Sequence, residues 1–310
     1  MGEEDKQYYT EFSLGFHFGL GSKIYILFYL KFSKKVMYIN TLFMLDYMVY
    51  NIQYTKKGVL LMESYRLTEM TWPEVQEALK TVKLAIIPVG AHEQHGPHMN
   101  ESCDAVLATE VSNRLAQRLF PHVLVTPTVN MGVSIHHINF PGTITLRPET
   151  LINVLRDMVW SLKKHGIEKF LFLNSHGGNQ STLSVACTTL THELEVEIFY
   201  AKSTAAAKNA MKEHISSTLF GHSCEREVSE ALYLAPQLVR PDRLEKGDIV
   251  EGKWRNLRPG NALQGTYQYE EMTANGCIGD ATKASYEIGQ QVVEEALDGL
   301  ESSIRRMLDL

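Results

Sequence analysis

Short apolar runs bounded by turn residues recur along the chain at Leu84 to Val89, Val123 to Pro127, Phe170 to Leu173 and Val196 to Tyr200. Each is too short for a helix and reads as a strand buried on both faces. Between them the spacing changes to helical period. From Asp104 to Phe120, Leu107, Val111, Leu115 and Leu119 share one face, and the stretch Pro148 to His165 opens on a proline suited to a first helical turn. Trp72-Pro73-Glu74-Val75 opens a shorter amphipathic helix. The region Pro236 to Gly279 is irregular, and helical period returns over Asp280 to Leu310 with Ile288, Val292, Ala296 and Leu300 as the apolar stripe. Strands alternating with helices predict an α/β fold with parallel strands and crossover helices, whose ligands gather beyond the carboxyl ends of the strands.

The first 61 residues have a different character. They hold 14 of the 29 aromatic residues of the 310-residue chain, among many Ile, Lys, Asn and Met. Composition changes at Met62, so residues 1–61 are expected to be an extra N-terminal segment, weakly ordered or not native, with Met62 the true start and 62–310 one catalytic domain. The apolar stretches Ile24 to Leu30 and Val36 to Leu45 are interrupted by Lys31, Lys34 and Lys35 and are shorter than the roughly 20 residues a membrane helix needs, so no membrane association is expected.

A net charge of -6 and a pI near 6.1 provide no basic field for a phosphate backbone, which argues against nucleic acid as a partner. The four cysteines, Cys103, Cys187, Cys224 and Cys277, form no Cys-x-x-Cys pair, and no secretory signal is recognisable. A reduced cytoplasmic setting fits them, with Cys103 and Cys224 read as small buried thiols.

Chemistry concentrates at the strand ends. Glu93, His95, Asp104, His176 and Glu225 offer carboxylate and imidazole donors suited to divalent cations, and two ions in one site need a bridging carboxylate, for which Asp104 is the candidate. Glu93 and His95, two apart in an extended segment, leave the same face of the chain. His122, His165, His192 and His214 read as structural. His98 and His137 are divided evenly between substrate binding and loop hydrogen bonding. A Ser/His/Asp reading built on Ser175, His176 and Ser229 lacks a Gly-x-Ser-x-Gly elbow.

The segments Gly90-Ala91-His92-Glu93-Gln94-His95-Gly96-Pro97-His98, Asp104, Phe140-Pro141-Gly142-Thr143, Asn174-Ser175-His176-Gly177-Gly178-Asn179 and Gly221-His222-Ser223-Cys224-Glu225-Arg226-Glu227-Val228-Ser229, in this order, resemble the creatininase (creatinine amidohydrolase) family. The resemblance implies a three-layer α/β/α sandwich, often a hexamer, with two divalent ions per subunit (Zn, Mn or Fe). It implies Glu93, His95, Asp104, His176 and Glu225 as metal ligands, with Glu225 also counted as catalytic. Some relatives have a ligand Glu two residues after the motif histidine, where Gly178 stands here, and Glu225 is expected in its place. His222 matches the catalytic histidine, with Glu227 orienting a neighbour, and His98, His137, Gly177 and Asn179 are expected to contact substrate. The implied reaction is hydrolysis of a cyclic amide or other small carbonyl C–N bond. Alternatives within the family are an oxidised inositol (inosose), a formamide or a peptide; a metal-binding regulatory module is the non-enzymatic one. Creatininases close tryptophan-bearing flaps between the last two motifs, and Trp72, Trp160 and Trp254 all lie outside that stretch or before its first motif.

Overall fold

The computed structural model describes residues 64–310 except 205 and 258–260, together with three short strands nearer the N-terminus, β1 (Leu14–His17), β2 (Tyr25–Phe32) and β3 (Lys35–Tyr38). The chain divides into two units, Met1–Met62 and Glu63–Leu310. In the first, β1, β2 and β3 pair antiparallel in that order. The remaining residues of 1–61, and with them the expectation that this segment is weakly ordered, lie outside the described residues.

The second unit is built on a five-stranded, wholly parallel sheet: β4 (Tyr65–Arg66), β5 (Leu84–Val89), β6 (Val123–Val125), β7 (Lys169–Asn174) and β8 (Glu197–Lys202), in the order β4-β6-β5-β7-β8. The central β5 is buried along its whole length, which is why its sequence is a continuous apolar run.

Alternation along β5 and β7 assigns the two faces. Leu84, Ile86, Leu171 and Leu173 join one apolar cluster with residues of α2 (Cys103–Arg118), α6 (Glu225–Leu234) and α7 (Tyr286–Leu308). Ala85, Ile87, Phe170 and Phe172 join the other with α3 (Pro148–Lys163) and α4 (Gln180–Leu194). Helices therefore cover both faces, and the fold is a three-layer α/β/α sandwich. Two shorter helices complete it. α1 (Trp72–Ala78) starts on a capping box between Thr71 and Glu74, and α5 (Lys208–His214) follows β8.

The helices expected at 104–120 and 148–165 are present with slightly shifted ends, and the tail helix begins at Tyr286, where Ser285 caps it by accepting from the Ile288 N–H. Residues 236–279 carry only 3-10 turns and isolated β-bridges among those described. In register, Val89 of β5 stands beside Asn174 of β7, and Asn174 beside Lys202 of β8. Three strands thus end on one rim, and the loops that follow deliver the site.

Candidate metal centre

Glu93 and His95 lie in the extended loop after β5, Asp104 in the first turn of α2, His176 directly after β7, and His222 just before α6. The loop after β5 comes close to α2 because residue 90 is glycine. A Cβ there would stand 2.4 Å from the backbone of Ala105, beside Asp104.

Asp104 sits between two histidines. Its Oδ1 is 3.4 Å from His95 Nε2 and its Oδ2 is 3.1 Å from His176 Nδ1. Glu93 Oε1 lies 3.2 Å from His176 Nδ1 and 3.7 Å from His222 Nδ1. All five side chains are buried. The outer nitrogens face backbone carbonyls: His95 Nδ1 is 3.0 Å from Glu93 O, His176 Nε2 is 3.1 Å from Val133 O, and His222 Nε2 is 2.7 Å from Gln94 O. An N–H on each outer nitrogen donates to its carbonyl, which turns the lone pair of the inner nitrogen toward the carboxylates. For His222 the short carbonyl contact decides this tautomer over the Gln94 Nε2 at 3.1 Å.

Lone pairs facing carboxylates require a cation between them. Burial opposes charge on His95, yet Asp104, Glu227 and Glu93 hold its pKa up at about 9. Burial likewise works against His176, and Glu93 and Asp104 overcome it, raising that histidine well above its ordinary value. Glu93 Oε2 is buried and has no hydrogen-bond partner, and the buried Asp104 carboxylate is met only by the two imidazoles. Unpaired buried acceptors of this kind are costly unless something positive fills the gap. Oxygen and imidazole donors in this arrangement fit divalent metal.

Glu225 is not brought to this cluster. Its side chain is buried, and its two oxygens accept from the Ser217 N–H and the Asp280 N–H, both at 3.0 Å, which pins two loops together. Glu227 comes in instead, grouping with His95 and His222. Its oxygens also accept from the Ser223 N–H (2.6 Å) and from Arg226 Nη2 (2.7 Å). The physical reason is helical phase: residues two apart in the first turn of α6 point about 200° apart, so only one of the two glutamates faces the histidines. Ser223 makes the turn into α6 with φ +51°, a left-handed conformation uncommon outside glycine. Its hydroxyl donates to His95 O at 2.6 Å.

The residues expected to touch substrate are divided. His137 is in the cluster, its Nε2 3.4 Å from Glu93 Oε1 and its Nδ1 accepting from Gln94 Nε2 at 2.9 Å. Burial, then the neighbouring His222, pushes its pKa down. Gly177 is exposed with open space over its Cα. His98 is fully buried with Nε2 against Ser223 O (3.1 Å) and Oγ (3.0 Å). Asn179 is also buried, donating to Gly90 O and Asn174 Oδ1 and accepting from the Val133 N–H. Both of these hold loops together. Gly178 is tightly enclosed, since a Cβ would stand 2.3 Å from Val133 O and 2.4 Å from His176 Nε2.

Sequence reasoning passed over His136, which groups with Glu93 and His176, and Tyr269, whose ring stacks on His137 with centroids 3.7 Å apart. The His-His pair at 136–137, beside the Phe140-Pro141-Gly142-Thr143 motif, was the available signal for the first. Tyr269 had none, coming from the irregular tail.

The sequence profile of the Creatininase family, described as creatinine amidohydrolase, matches residues 68–304. The chain belongs to the creatininase family. It is 28% identical over 243 residues to a mycofactocin precursor peptide peptidase of Mycobacterium ulcerans (strain Agy99), covering 76% of this chain and 86% of that protein. It is 29% identical over 260 residues to a 3-dehydro-scyllo-inosose hydrolase of Thermotoga maritima, covering 77% and 82%. A solved structure of Mn creatininase superposes with a TM-score of 0.69 at 26% identity, covering 79% of this chain and 99% of that one. This creatininase-family chain is an enzyme, a hydrolase of the amidohydrolase type, with a His and carboxylate cluster of the kind that holds divalent metal. Among the described residues no helix is long and apolar enough to cross a membrane.

Proposed function

We propose that this creatininase-family hydrolase cleaves a C–N bond beside a small carbonyl, with two divalent cations held by Glu93, Asp104 and His176 on one side and by Asp104, His95 and Glu227 on the other. The observation that carries the reading is Asp104, whose two oxygens face two different histidines, each with its outer nitrogen against a backbone carbonyl. Bound there, such cations supply Lewis acidity toward a carbonyl and make water acidic enough to serve as a nucleophile near neutral pH.

The chain's own residues do the rest. Burial, then the charge on His95, lowers the pKa of His222 and keeps its imidazole neutral. With Nε2–H committed to Gln94 O, His222 Nδ1 is the atom that takes a proton and passes it to the leaving nitrogen. Gln94 holds His137 and the Gly276 carbonyl with the same amide, so the histidine rings keep their relative orientation. Tyr269, over His137 and edge-on to His222, forms an aromatic wall against which a flat substrate would lie.

A metal-free serine mechanism gains no support from the geometry. Ser175 Oγ donates to Ser203 Oγ, and Ser229 Oγ donates to the Glu225 carbonyl. A cyclic amide is the leading substrate; an inosose, a formamide or a peptide end follows from the breadth of the relatives. The cytoplasmic setting and hexameric assembly stand as proposals on the same footing, the latter read by particle mass in solution.

Metal analysis paired with hydrolysis of creatinine, a formamidopyrimidine, a short peptide and an oxidised inositol tests the proposal. Close to two ions per chain and chelator-sensitive turnover of one compound are expected. Fewer than one ion after metal loading overturns it.

A further inference from the structure

A cavity of about 400 Å³ is lined by Lys202, Thr204, Ala207, Lys208, Phe220 and Arg226. The cavity borders the metal centre along the chain: Gly221, also in its wall, precedes His222, and Arg226 precedes Glu227. Three cations line it, and their charge is unevenly matched. Arg226 is buried and paired twice, to Glu227 Oε1 at 2.7 Å and Glu230 Oε1 at 2.9 Å. Among the described residues no carboxylate lies within ion-pair distance of Lys202 or Lys208. The nearby acid on α7, Glu295, is engaged by the Asn209 and Ala210 N–H groups. Thr204 Oγ1 accepts from Arg226 Nη1 at 3.3 Å, which leaves its hydroxyl hydrogen free to donate.

Two ammonium groups and a hydroxyl donor around one cavity, with the third cation already neutralised, are a receptor for a compact oxyanion. We propose that this cavity binds a carboxylate or phosphate group between Lys202 and Lys208, with the Thr204 hydroxyl completing the contact. The bound group is either the acidic end of the substrate, its scissile bond reaching the histidines, or a free anion. The first source rests on the hydrolase reading above; the site itself does not.

Inorganic phosphate, titrated into the metal-free full-length protein and followed by calorimetry, reads the site without any turnover. Saturable binding is expected. Lys208→Ala should weaken it about tenfold and Lys202→Ala with Lys208→Ala about a hundredfold, as for loss of one and two charge-assisted hydrogen bonds. Circular dichroism confirms that the variants are folded. Because metal is absent, a failed hydrolase reading leaves this result intact. Equal phosphate binding by wild type and the double variant, or no saturable binding, overturns the proposal.

The source is separated on the metal-loaded enzyme with a peptide in its free-acid and amide forms. If the cavity holds the substrate's own acid, amidation raises KM in the wild type and has no effect in the double variant. If it holds a free anion, phosphate changes turnover of both forms by the same factor, and the double variant loses that response.

Discussion

Arg226→Met is the sharpest perturbation the architecture allows. The guanidinium is buried with Glu227 and Glu230, which are themselves buried, and bonds one oxygen of each at 2.7 and 2.9 Å. Methionine fills much the same volume but leaves two buried carboxylates without their cation, Glu227 keeping the Ser223 N–H and Glu230 losing its ion pair. Removing one partner of a buried ion pair costs about 3–5 kcal/mol. At roughly 2–4 °C per kcal/mol for a domain of this size, the melting temperature should fall by about 6–20 °C. Glu230 limits the loss, because burial already pushes its pKa up against the opposing pull of Arg226, and without the cation it takes up a proton more readily. A carboxylate whose folded pKa lies above its unfolded value favours the fold at low pH and disfavours it as pH rises. The variant's deficit should therefore be larger at pH 8 than at pH 5. Thermal unfolding of metal-free protein at the two pH values measures this, and Arg226→Met with Glu230→Leu should recover part of the loss at pH 8. A deficit under about 1 kcal/mol at pH 8, or one independent of pH, would show that the three charges are solvated and refute the reasoning.

Glu227→Gln should reduce divalent-metal affinity by at least about 10–100-fold, whereas Glu225→Gln should keep metal and lose about 1–3 kcal/mol of stability from its two loop bonds; equal metal loss in both would count against the assignment. In metal-free protein His95, with a folded pKa of about 9, contributes stability that is full below its ordinary value near 6.5 and lost as pH rises through 9. Metal displaces that proton, so binding at pH 8 should release protons, seen as a buffer-dependent enthalpy in calorimetry; a buffer-independent enthalpy would contradict it. Three of the four thiols should react slowly with a thiol reagent at pH 8 in the native protein, because Cys103, Cys224 and Cys277 are buried and burial raises all three, Cys277 to about 12, while Cys187 is only half-buried; rapid labelling of more than one thiol before unfolding would rule this out.

The layered fold was legible because its evidence is local. A run such as Leu84 to Val89 and a stripe such as Leu107, Val111 and Leu115 declare their partners by period alone. Edge strand β4 was missed, since two residues, Tyr65 and Arg66, are too few to carry a period. At the site, Glu93, His95, Asp104, His176 and His222 converge as their places at strand and helix ends suggest. The glutamate at the start of α6 was harder. Glu225 and Glu227 are chemically identical, and choosing between them needs the exact residue at which the helix begins, the least certain feature of any sequence reading. Tyr269 comes from a loop with no regular period, and only the folded chain brings it over His137.

The tight enclosure of Gly178 bears on where this cluster can take a carboxylate from. A family member that takes its fifth carboxylate from this turn needs the backbone around Val133 drawn back to admit a side chain; here the carbonyl of Val133 already holds His176 in place. Moving the donor from helix to turn by one substitution would dislodge a histidine before gaining a glutamate. The two arrangements are separated by a barrier of backbone rearrangement, so Gly178→Glu cannot rescue a chain that has lost Glu227. At this turn the donor position is closed by the packing of one backbone carbonyl rather than by the chemistry of the residue that stands there.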